Sequence, residues 1–348
     1  MDKQKQTLIK NYLAGTYRPL IKNKYSSVTS ATPAQIVLYL NKKRKTYPYF
    51  LKFDLEKFYV DIKHDILIDT IKKCFALRGK PIGKQGHKYI NIIQKDFLPS
   101  SPFDNQSLAV GSTLSHTLSS IYMLDLDMAI KNPYTRFVDD YVVLFKSKAQ
   151  IDTFISDVLL PALGRLKLNL NPKKLSSGKF ATDACVYLGF KFIRGIIAID
   201  KQSIVKFKEK IKHITSLSNK NDKNIVQKLN YKIDGFGHYY KLSACVGVFD
   251  ELDKYIRHRL RFYLNRSKSV EVNFLQSNKD FDELGLHRLS YINKKQKQNT
   301  HCVKKYQQAG AVGLMQKIDR LDERLARIEN LLNMTRLVVP CYFLSFRA

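Results

Sequence analysis

Two runs of β-prone, mostly apolar residues contain carboxylates, and this pattern limits the folds open to the chain more than any other feature. Residues 49–53 alternate in character up to Asp54, which predicts a strand ending in an acid. The run RFVDDYVVLF at 136–145 places Asp139 and Asp140 between two β-rich halves, which predicts a hairpin with the acids at its turn. Buried acids are costly unless a cation compensates them. The two runs therefore predict a sheet that carries a cation site.

Acids placed in this way suit phosphoryl transfer, which depends on divalent metal ions. Two Mg²⁺ ions ~3.5–4 Å apart stabilise the attacking and leaving oxygens, and hard cations prefer carboxylate ligands. One Asp at the end of a strand and an Asp-Asp pair at a neighbouring turn supply such ligands if the strands are adjacent. Asp-Asp pairs are also common in ordinary turns. The apolar flanks of Asp139 and Asp140 favour the functional interpretation.

The rest of the chain shows helical spacing with one further β-rich stretch. Residues 1–50 are interpreted as a basic lead-in containing one helix, capped by Thr32, and residues 78–107 as mixed helix and loop. The predicted helices are Pro33 to Lys43, His64 to Phe75, Thr113 to Ile130, Ala149 to Leu166, and several within 201–266. Two short strands are expected within Val186 to Ile199, and residues 267–305 are expected to form an exposed arm. Residues 311–333 show an a/d heptad seam.

Charge and cysteine content narrow the partners and the setting. Lys and Arg total 60 against 30 acids, a net charge of +30 that favours a polyanionic partner such as nucleic acid. A solvated basic surface is the alternative. The five cysteines form no CxxC pair, which disfavours a zinc site or a disulfide framework and favours the reducing cytoplasm. No signal sequence or membrane-spanning run is evident, so no membrane partner is expected.

Six segments, in order, resemble the motifs of bacterial reverse transcriptases, a group with group II intron, retron, diversity-generating and defence-associated members. The segments are LKFDLEKFYVDIKHDIL, AVGSTLSHTLSSIYMLDLD, YTRFVDDYVVLF, LKLNLNPKKL, VYLGFKF, and LNYKIDGFGHYYKL with FDELDKYIRHRLRFYL. The first and third are specific, whereas the Leu-Gly hairpin and the helical segment are weak alone. Phe137 and Val138 replace the usual Tyr and Ala, and His116 stands where Gln or Pro is common.

The resemblance implies an α+β fold shaped as a right-hand polymerase. The expected parts are reduced fingers at 1–48, a fingers-palm catalytic domain with an antiparallel sheet at 49–200, and a helical thumb at 201–266. A basic linker at 267–310 and an amphipathic oligomerisation helix with a tail at 311–348 complete the prediction. The seam at 311–333 either packs on the thumb or joins a second copy or another protein, and assembly is favoured.

The same resemblance implies roles for individual residues. Asp54, Asp139 and Asp140, with the carbonyl of Leu55, would hold two Mg²⁺ ions, with Mn²⁺ as a substitute. The residues expected at the incoming dNTP are Leu55, Tyr59, Gly111, Ser112 and Lys174. Those expected at the nucleic acid are Ser115, Leu188, Gly189, Lys254, Arg257, Arg259 and Arg261.

Several of these roles have structural alternatives. Tyr59, the expected gate against ribose 2′-hydroxyls, could be a core aromatic, and Lys174 is one of many lysines. Ser112 and Ser115 could only cap a helix. His64 is expected to make a structural hydrogen bond.

One departure from the family concerns the fingers. Only 53 residues precede Asp54, and no basic turn for the triphosphate is evident. Lys42, Lys43, Arg44 and Lys45 or a partner protein could supply that charge.

The implied activity is RNA-directed DNA synthesis from dNTPs on an RNA template, yielding a DNA product. Antiphage defence with a non-coding RNA is preferred slightly over a diversity-generating role with an accessory protein. A non-catalytic RNA-binding scaffold is the alternative from another class.

Overall fold

The computed structural model describes residues 2–21, 26, 31–100, 105–109, 111–216, 222–243, 245–266 and 276–292. The chain divides into two compact units, the first comprising Met1–His287 and the second beginning at Arg288. All of the elements below belong to the first unit. The predicted seam at 311–333 lies outside the described residues, so its role in assembly stays a prediction.

The first unit mixes helices with two antiparallel sheets, which confirms the predicted α+β class. The helices are α1 Lys3–Tyr17, α2 Pro33–Lys43, α3 Phe58–Asp61, α4 His64–Leu77, α5 Lys84–Ile92, α6 Thr113–Tyr122, α7 Leu124–Ala129, α8 Ala149–Phe154, α9 Leu160–Leu166, α10 Lys201–Ile214, α11 Ile225–Tyr240, α12 Val246–Asn265 and α13 Asn278–Glu283. The strands are β1 Tyr49–Phe53, β2 Tyr134–Phe137, β3 Asp140–Phe145, β4 Ser176–Lys179, β5 Cys185–Tyr187, β6 Phe190–Ile193 and β7 Ile196–Ile199. In the described part of the chain, no helix is both long and apolar enough to cross a membrane.

The larger sheet has four strands in the order β2-β3-β1-β4. Its strands β1 and β3 position the predicted acids. Strands β2 and β3 are the predicted hairpin, with Phe137 opposite Asp140 across a two-residue turn. Strand β1 pairs with β3, and Phe53 lies opposite Tyr141. Both strands are almost fully buried, which explains their near-continuous apolar sequences.

The smaller sheet contains three strands in the order β5-β6-β7, whereas the sequence predicted two. Two tight turns separate the strands, one at Leu188-Gly189 and one at Arg194-Gly195, and all four residues have positive φ. Such two-residue turns with Gly at the second position favour hairpins. The segment after Gly195 therefore forms a third strand.

Helix α1 is part of the core, although the sequence did not distinguish it from a basic lead-in. Ile9, Leu13, Ala14 and Tyr17 are buried and lie on one face at helical spacing. The helix packs against α4 and α6. The amphipathic pattern was present in the sequence, but its surrounding Lys and Gln residues obscured it.

Helices α10, α11 and α12 confirm the helical pattern predicted for 201–266, and the proposed domain boundaries stay predictions. Part of the predicted exposed arm, however, is packed on these helices. Phe281 of α13 is buried under the guanidinium of Arg261, 4.8 Å from the ring centre. Asn230 of α11 donates to the carbonyl of Gly285 at 2.7 Å and accepts from the amide of His287 at 2.8 Å. The segment 276–287 therefore belongs to the helical part of the molecule.

We expect Gly189→Ala to destabilise the chain by about 2 kcal/mol or more, because strained backbone and overpacking each cost ~1–3 kcal/mol. Gly189 has φ +73°, and an added Cβ would lie 2.3 Å from Oη of Tyr240 and 2.9 Å from Oγ of Ser203. Gly195→Ala is the matched control, because φ is +76° there and nothing lies within 4 Å of an added Cβ. Urea unfolding of both variants measures the difference, and equal losses would contradict the clash.

Candidate active site

Asp54 and Asp140 lie beside each other at one end of the larger sheet. The antiparallel register that places Phe53 opposite Tyr141 brings the next pair of positions, 54 and 140, together. Asp139 occupies the adjoining turn, and the charges of Asp54 and Asp139 both act on Asp140. The structure thus brings the three predicted acids to one place.

Two lysines neutralise part of this negative charge. Nζ of Lys174 lies 3.0 Å from Oδ2 of Asp54, and Nζ of Lys52 lies 3.5 Å from Oδ2 of Asp140. The hydrogen bond to Asp54 raises the pKa of Lys174. Among the described residues, no group of three or more His, Cys, Asp or Glu side chains is arranged to hold a metal ion. Two of the three acids are instead engaged by lysines.

Asp140 has surroundings that favour a cation. Burial, together with the charges of Asp54 and Asp139, raises its pKa to about 7 even though Lys52 acts in the opposite direction. Its Oδ1 atom is buried without a hydrogen-bond partner. Carboxylates in such surroundings suit hard divalent cations, which prefer oxygen ligands and stabilise the ionised form. The oxygen donors of the three acids therefore fit Mg²⁺ or Mn²⁺ in their chemistry, although with Lys174 and Lys52 in contact they are not arranged around a common ion.

We expect Asp140→Asn to raise the melting temperature by a few degrees at pH 8 in the presence of a chelator. A carboxyl whose pKa is higher in the folded state than in the unfolded state destabilises the fold as pH rises above the unfolded pKa. The destabilisation is complete once pH exceeds the folded pKa. The gain should therefore shrink towards pH 4, which lies near the unfolded pKa, because protonation of the folded carboxyl removes most of the penalty there. Calorimetry at the two pH values checks this, and a lower melting temperature at pH 8 would contradict it.

The segment after β1 is held by a short pairing with residues 169–171. The amide of Asn171 donates to the carbonyl of Asp54 at 2.9 Å, and the amide of Glu56 donates to Asn169 at 2.9 Å. Leu55 forms an isolated antiparallel bridge with Leu170 between these bonds. This pairing brings Lys174 to Asp54. From the smaller sheet, Tyr187 donates to the backbone carbonyl of Asp140 at 3.3 Å, a contact that sequence reasoning missed.

Tyr59 lies on the short helix α3, a few residues beyond Asp54. Its ring is partly buried and meets the ring of Phe58 edge-on, with centroids 5.5 Å apart. Ser119 of α6 donates to its hydroxyl at 3.4 Å. The backbone carbonyl of Tyr59 accepts from Leu108 at 2.8 Å. These contacts hold the residue in place, and its role as a gate stays a prediction.

The loop before α6 contains the other residues predicted at the nucleotide. Gly111 has φ +93°, and Ser112 caps α6 by accepting from the amide of Leu114 at 3.2 Å. The hydroxyl of Ser112 also donates to Gln6 of α1 at 2.7 Å. Ser115 is buried and donates to the carbonyl of Ala109 at 2.6 Å. Ser112 therefore caps α6, as its structural alternative predicted, whereas Ser115 bonds to the loop without capping the helix. The roles of both residues at the nucleotide and the nucleic acid stay predictions.

Two further predicted residues are fixed by internal hydrogen bonds. Nε2 of His64 lies 2.8 Å from the carbonyl of Ser107, which is the structural bond expected of it. The carbonyl of Leu188 accepts from Tyr239 of α11 at 3.0 Å, so the Leu188-Gly189 turn contacts the helical part of the molecule.

The basic residues predicted on α12 differ in their availability to phosphate. Lys254 is exposed, and Arg257 is partly buried. Arg259 donates to the hydroxyl and carbonyl of Thr215 at 3.1 and 3.2 Å. Arg261 donates to the carbonyl of Gln276 at 2.9 Å. Arg259 and Arg261 thus join α12 to Thr215 and to Gln276. The sequence did not indicate these contacts between distant residues.

Arg44 corrects the hypothesis that residues 42–45 together replace the basic turn of the fingers. Its side chain is buried, 7% exposed, and donates to the carbonyls of Gly195 at 2.7 Å and Ile196 at 3.3 Å. The guanidinium lies over the ring of Phe192. Arg44 therefore supports the β6–β7 turn and is not available to a triphosphate.

Comparison with protein families agrees with this geometry. The family model described as reverse transcriptase (RNA-dependent DNA polymerase) matches residues 1–192, more than half of the chain, and the chain belongs to this family. The model of the group II intron maturase-specific domain matches residues 204–270. No curated protein matches the sequence.

Solved structures similar to this chain include telomerases of two Candida species. Apo telomerase from Candida tropicalis is 14% identical over 74% of this chain and 53% of that chain, with a TM-score of 0.45. A form of it truncated from the C-terminal domain is 17% identical over 56% and 45%, with a TM-score of 0.43. Telomerase from Candida albicans in complex with a TWJ fragment of telomeric RNA is 12% identical over 77% and 51%, with a TM-score of 0.41. The chain spans about half the length of these proteins.

Proposed function

We propose that this protein is an RNA-directed DNA polymerase that adds dNTPs to a primer by metal-assisted nucleotidyl transfer. The observation that carries the proposal is the placement of Asp54 beside Asp140, with Asp139 at the adjoining turn. Membership of the reverse transcriptase family supports the reaction type. The match of residues 204–270 to the maturase-specific domain supports RNA as a partner.

The three acids would hold the divalent ions through charge and oxygen chemistry. Asp54 and Asp139 would be the shared ligands, Asp140 an auxiliary ligand, and the carbonyl of Leu55 a further donor. Two bound Mg²⁺ ions, or Mn²⁺ in their place, supply activation of the 3′-hydroxyl and stabilisation of the leaving pyrophosphate. Before nucleotide binding, Lys174 neutralises Asp54 through their 3.0 Å contact.

Other residues would orient the substrates. Lys174, with a side chain 55% exposed, can leave Asp54 for a triphosphate oxygen and hold a proton near the pyrophosphate. Tyr59 would exclude a ribose 2′-hydroxyl by contact. The loop with Gly111 and Ser112 would lie against the nascent base pair. Ser115 would support this loop through its bond to the carbonyl of Ala109.

The primer and the template would extend from this site towards the helical part of the molecule. The Leu188-Gly189 turn would contact the primer strand. Lys254 and Arg257 would contact phosphates, an interaction that weakens as salt rises.

Primer extension by the purified full chain tests the proposal. An RNA template with an annealed DNA primer, dNTPs and Mg²⁺ should give extended product that is lost on chelation. An RNA-binding scaffold would bind the same template and give no product. Sustained failure to extend any primer, despite tight RNA binding, would favour the scaffold.

We further propose that the cellular role is antiphage defence with a non-coding RNA, and that residues 311–333 join a second copy or a partner protein. The heptad seam in the sequence supports this proposal, whereas the Val-Gly-Ser-Thr-Leu-Ser run favours the diversity-generating role. Sequencing of the nucleic acid that co-purifies with the chain is the informative experiment. One dominant structured RNA with complementary DNA would support it, whereas a template repeat copied with an accessory protein would favour the diversity-generating role.

A further inference from the structure

A buried ion pair lies beneath the turn that carries the acids. Nη2 of Arg136, in β2, is 2.7 Å from Oδ2 of Asp127, in α7, and each side chain is 1% exposed. The hydroxyls of Tyr134 and Tyr141 donate to Oδ1 of Asp127 at 3.1 and 3.3 Å. Buried ion pairs contribute little net stability, since desolvation offsets their attraction. Because stability does not account for the pair, its role is inferred from the other contacts of Arg136.

The guanidinium of Arg136 also holds two backbone carbonyls. Nη1 donates to the carbonyl of Val138 at 3.2 Å, and Nη2 donates to the carbonyl of Ser120 at 3.4 Å. Val138 is the first turn residue of the β2–β3 hairpin, directly before Asp139. Ser120 lies in α6, the helix that begins at the Gly111-Ser112 loop. The guanidinium of Arg136 thus joins the β2–β3 turn, which contains Asp139, to helix α6, which follows the Gly111-Ser112 loop.

The turn needs such an anchor because its backbone is strained. Val138 has φ +60°, a conformation that is a genuine outlier for a β-branched residue. The first position of a hairpin turn with positive φ at this residue normally contains Gly. A residue in this state persists only where its surroundings determine it. The bond from Arg136 to the carbonyl of Val138 is a contact of this kind.

We propose that Arg136 is a positioning residue for nucleotidyl transfer. By holding the carbonyl of Val138 it fixes Asp139 and Asp140 relative to α6, and Asp127 keeps the guanidinium charged and oriented. The inference rests on the proposed function. Loss of Arg136 should reduce kcat and raise the Mg²⁺ concentration needed for half-maximal rate, while the KM for dNTP changes little.

The test removes both charges together with the hydroxyls that bond to them, so that the carbonyls of Val138 and Ser120 are the groups that lose a donor. Arg136→Met and Asp127→Leu remove the ion pair, and Tyr134→Phe with Tyr141→Phe removes the two hydroxyls that would lose their acceptor. Because apolar replacement of a buried pair is often neutral or stabilising, the melting temperature should stay near that of the wild type. In primer extension, kcat should fall about 10²-fold, the loss typical of a misplacement near 1 Å. The Tyr134→Phe/Tyr141→Phe chain is the control and should retain kcat.

Hydrogen exchange of the peptide containing Val138 to Asp140 provides a readout independent of activity. It should be faster in the fourfold variant at unchanged melting temperature. A stable variant with wild-type kcat, Mg²⁺ dependence and exchange would overturn the proposal and leave the proposed function standing. If the wild-type chain extends no primer, the proposed function fails, and the exchange experiment alone decides the role of Arg136.

Should the fourfold variant not fold, Arg136→Lys serves in its place. Lysine keeps the charge opposite Asp127 but cannot hold both carbonyls as a planar guanidinium does. Faster exchange at the turn and a lower kcat are expected, and unchanged values of both would refute the proposal.

Discussion

Asp54→Asn is expected to lower kcat for dNTP incorporation by about 10³-fold or more. Asparagine keeps the size of the side chain but removes the charge that hard cations require. A bound metal ion supplies several kcal/mol of transition-state stabilisation, and each ~1.4 kcal/mol changes the rate tenfold. Single-turnover extension of a primer on an RNA template at saturating Mg²⁺ measures the loss.

Glu56→Gln is the matched control for Asp54→Asn. Glu56 is exposed, lies two positions further along the chain, and loses the same charge on substitution. Its variant should extend primers at close to the wild-type rate. Comparable losses in the two variants would mean that general electrostatics, and not metal binding at Asp54, governs the rate. Thermal melting of both variants excludes unfolding as the cause.

Tyr59→Val is expected to reduce discrimination against ribonucleotides by about 10–200-fold, the range that small steric differences in a binding pocket provide. The ring of Tyr59 is held by Phe58 and by the hydroxyl of Ser119. In the proposed gate role, the ring would exclude a 2′-hydroxyl, and valine would leave space for it. The ratio of kcat/KM for dATP and ATP, measured on one template, gives the effect.

The control for Tyr59→Val is Tyr59→Phe, which keeps the ring and loses only the contact with Ser119. Its discrimination should remain near that of the wild type. An unchanged dATP/ATP ratio in the valine variant would show that Tyr59 is a core aromatic without a gating role. If both variants lost discrimination against ribonucleotides, the hydroxyl of Tyr59 and not its ring would be responsible for that discrimination.

The sequence was sufficient for the parts of the site that depend on local pattern. Alternating apolar residues before Asp54 predicted β1, and the β-rich halves around Asp139 and Asp140 predicted the hairpin. Thr32 with Gln35 formed the expected cap of α2. These features follow from side-chain periodicity and capping within a few residues, which one sequence displays directly.

Contacts between residues far apart in the chain could not be predicted in this way. Arg44 and Arg261 were expected to meet phosphates, because an arginine in a basic segment gives no sign of an internal partner. In the structure each binds backbone carbonyls of another segment. Arg136 was recognised only as a flank of the acids, yet it is fully buried against Asp127. The pairing of Arg136 with Asp127 depends on where α7 lies relative to the sheet, and the other two depend on which distant segment lies beside each arginine.

Cleavage of the backbone by bound Fe²⁺ tests the convergence of the acids most directly. Fe²⁺ placed at a Mg²⁺ site generates hydroxyl radicals with ascorbate and peroxide, and these cut the chain at nearby positions, which mass spectrometry identifies. The account predicts cuts near both Asp54 and Asp139, suppressed together by excess Mg²⁺ and by Asp139→Asn. Cuts confined to one of the two segments would contradict a shared metal site.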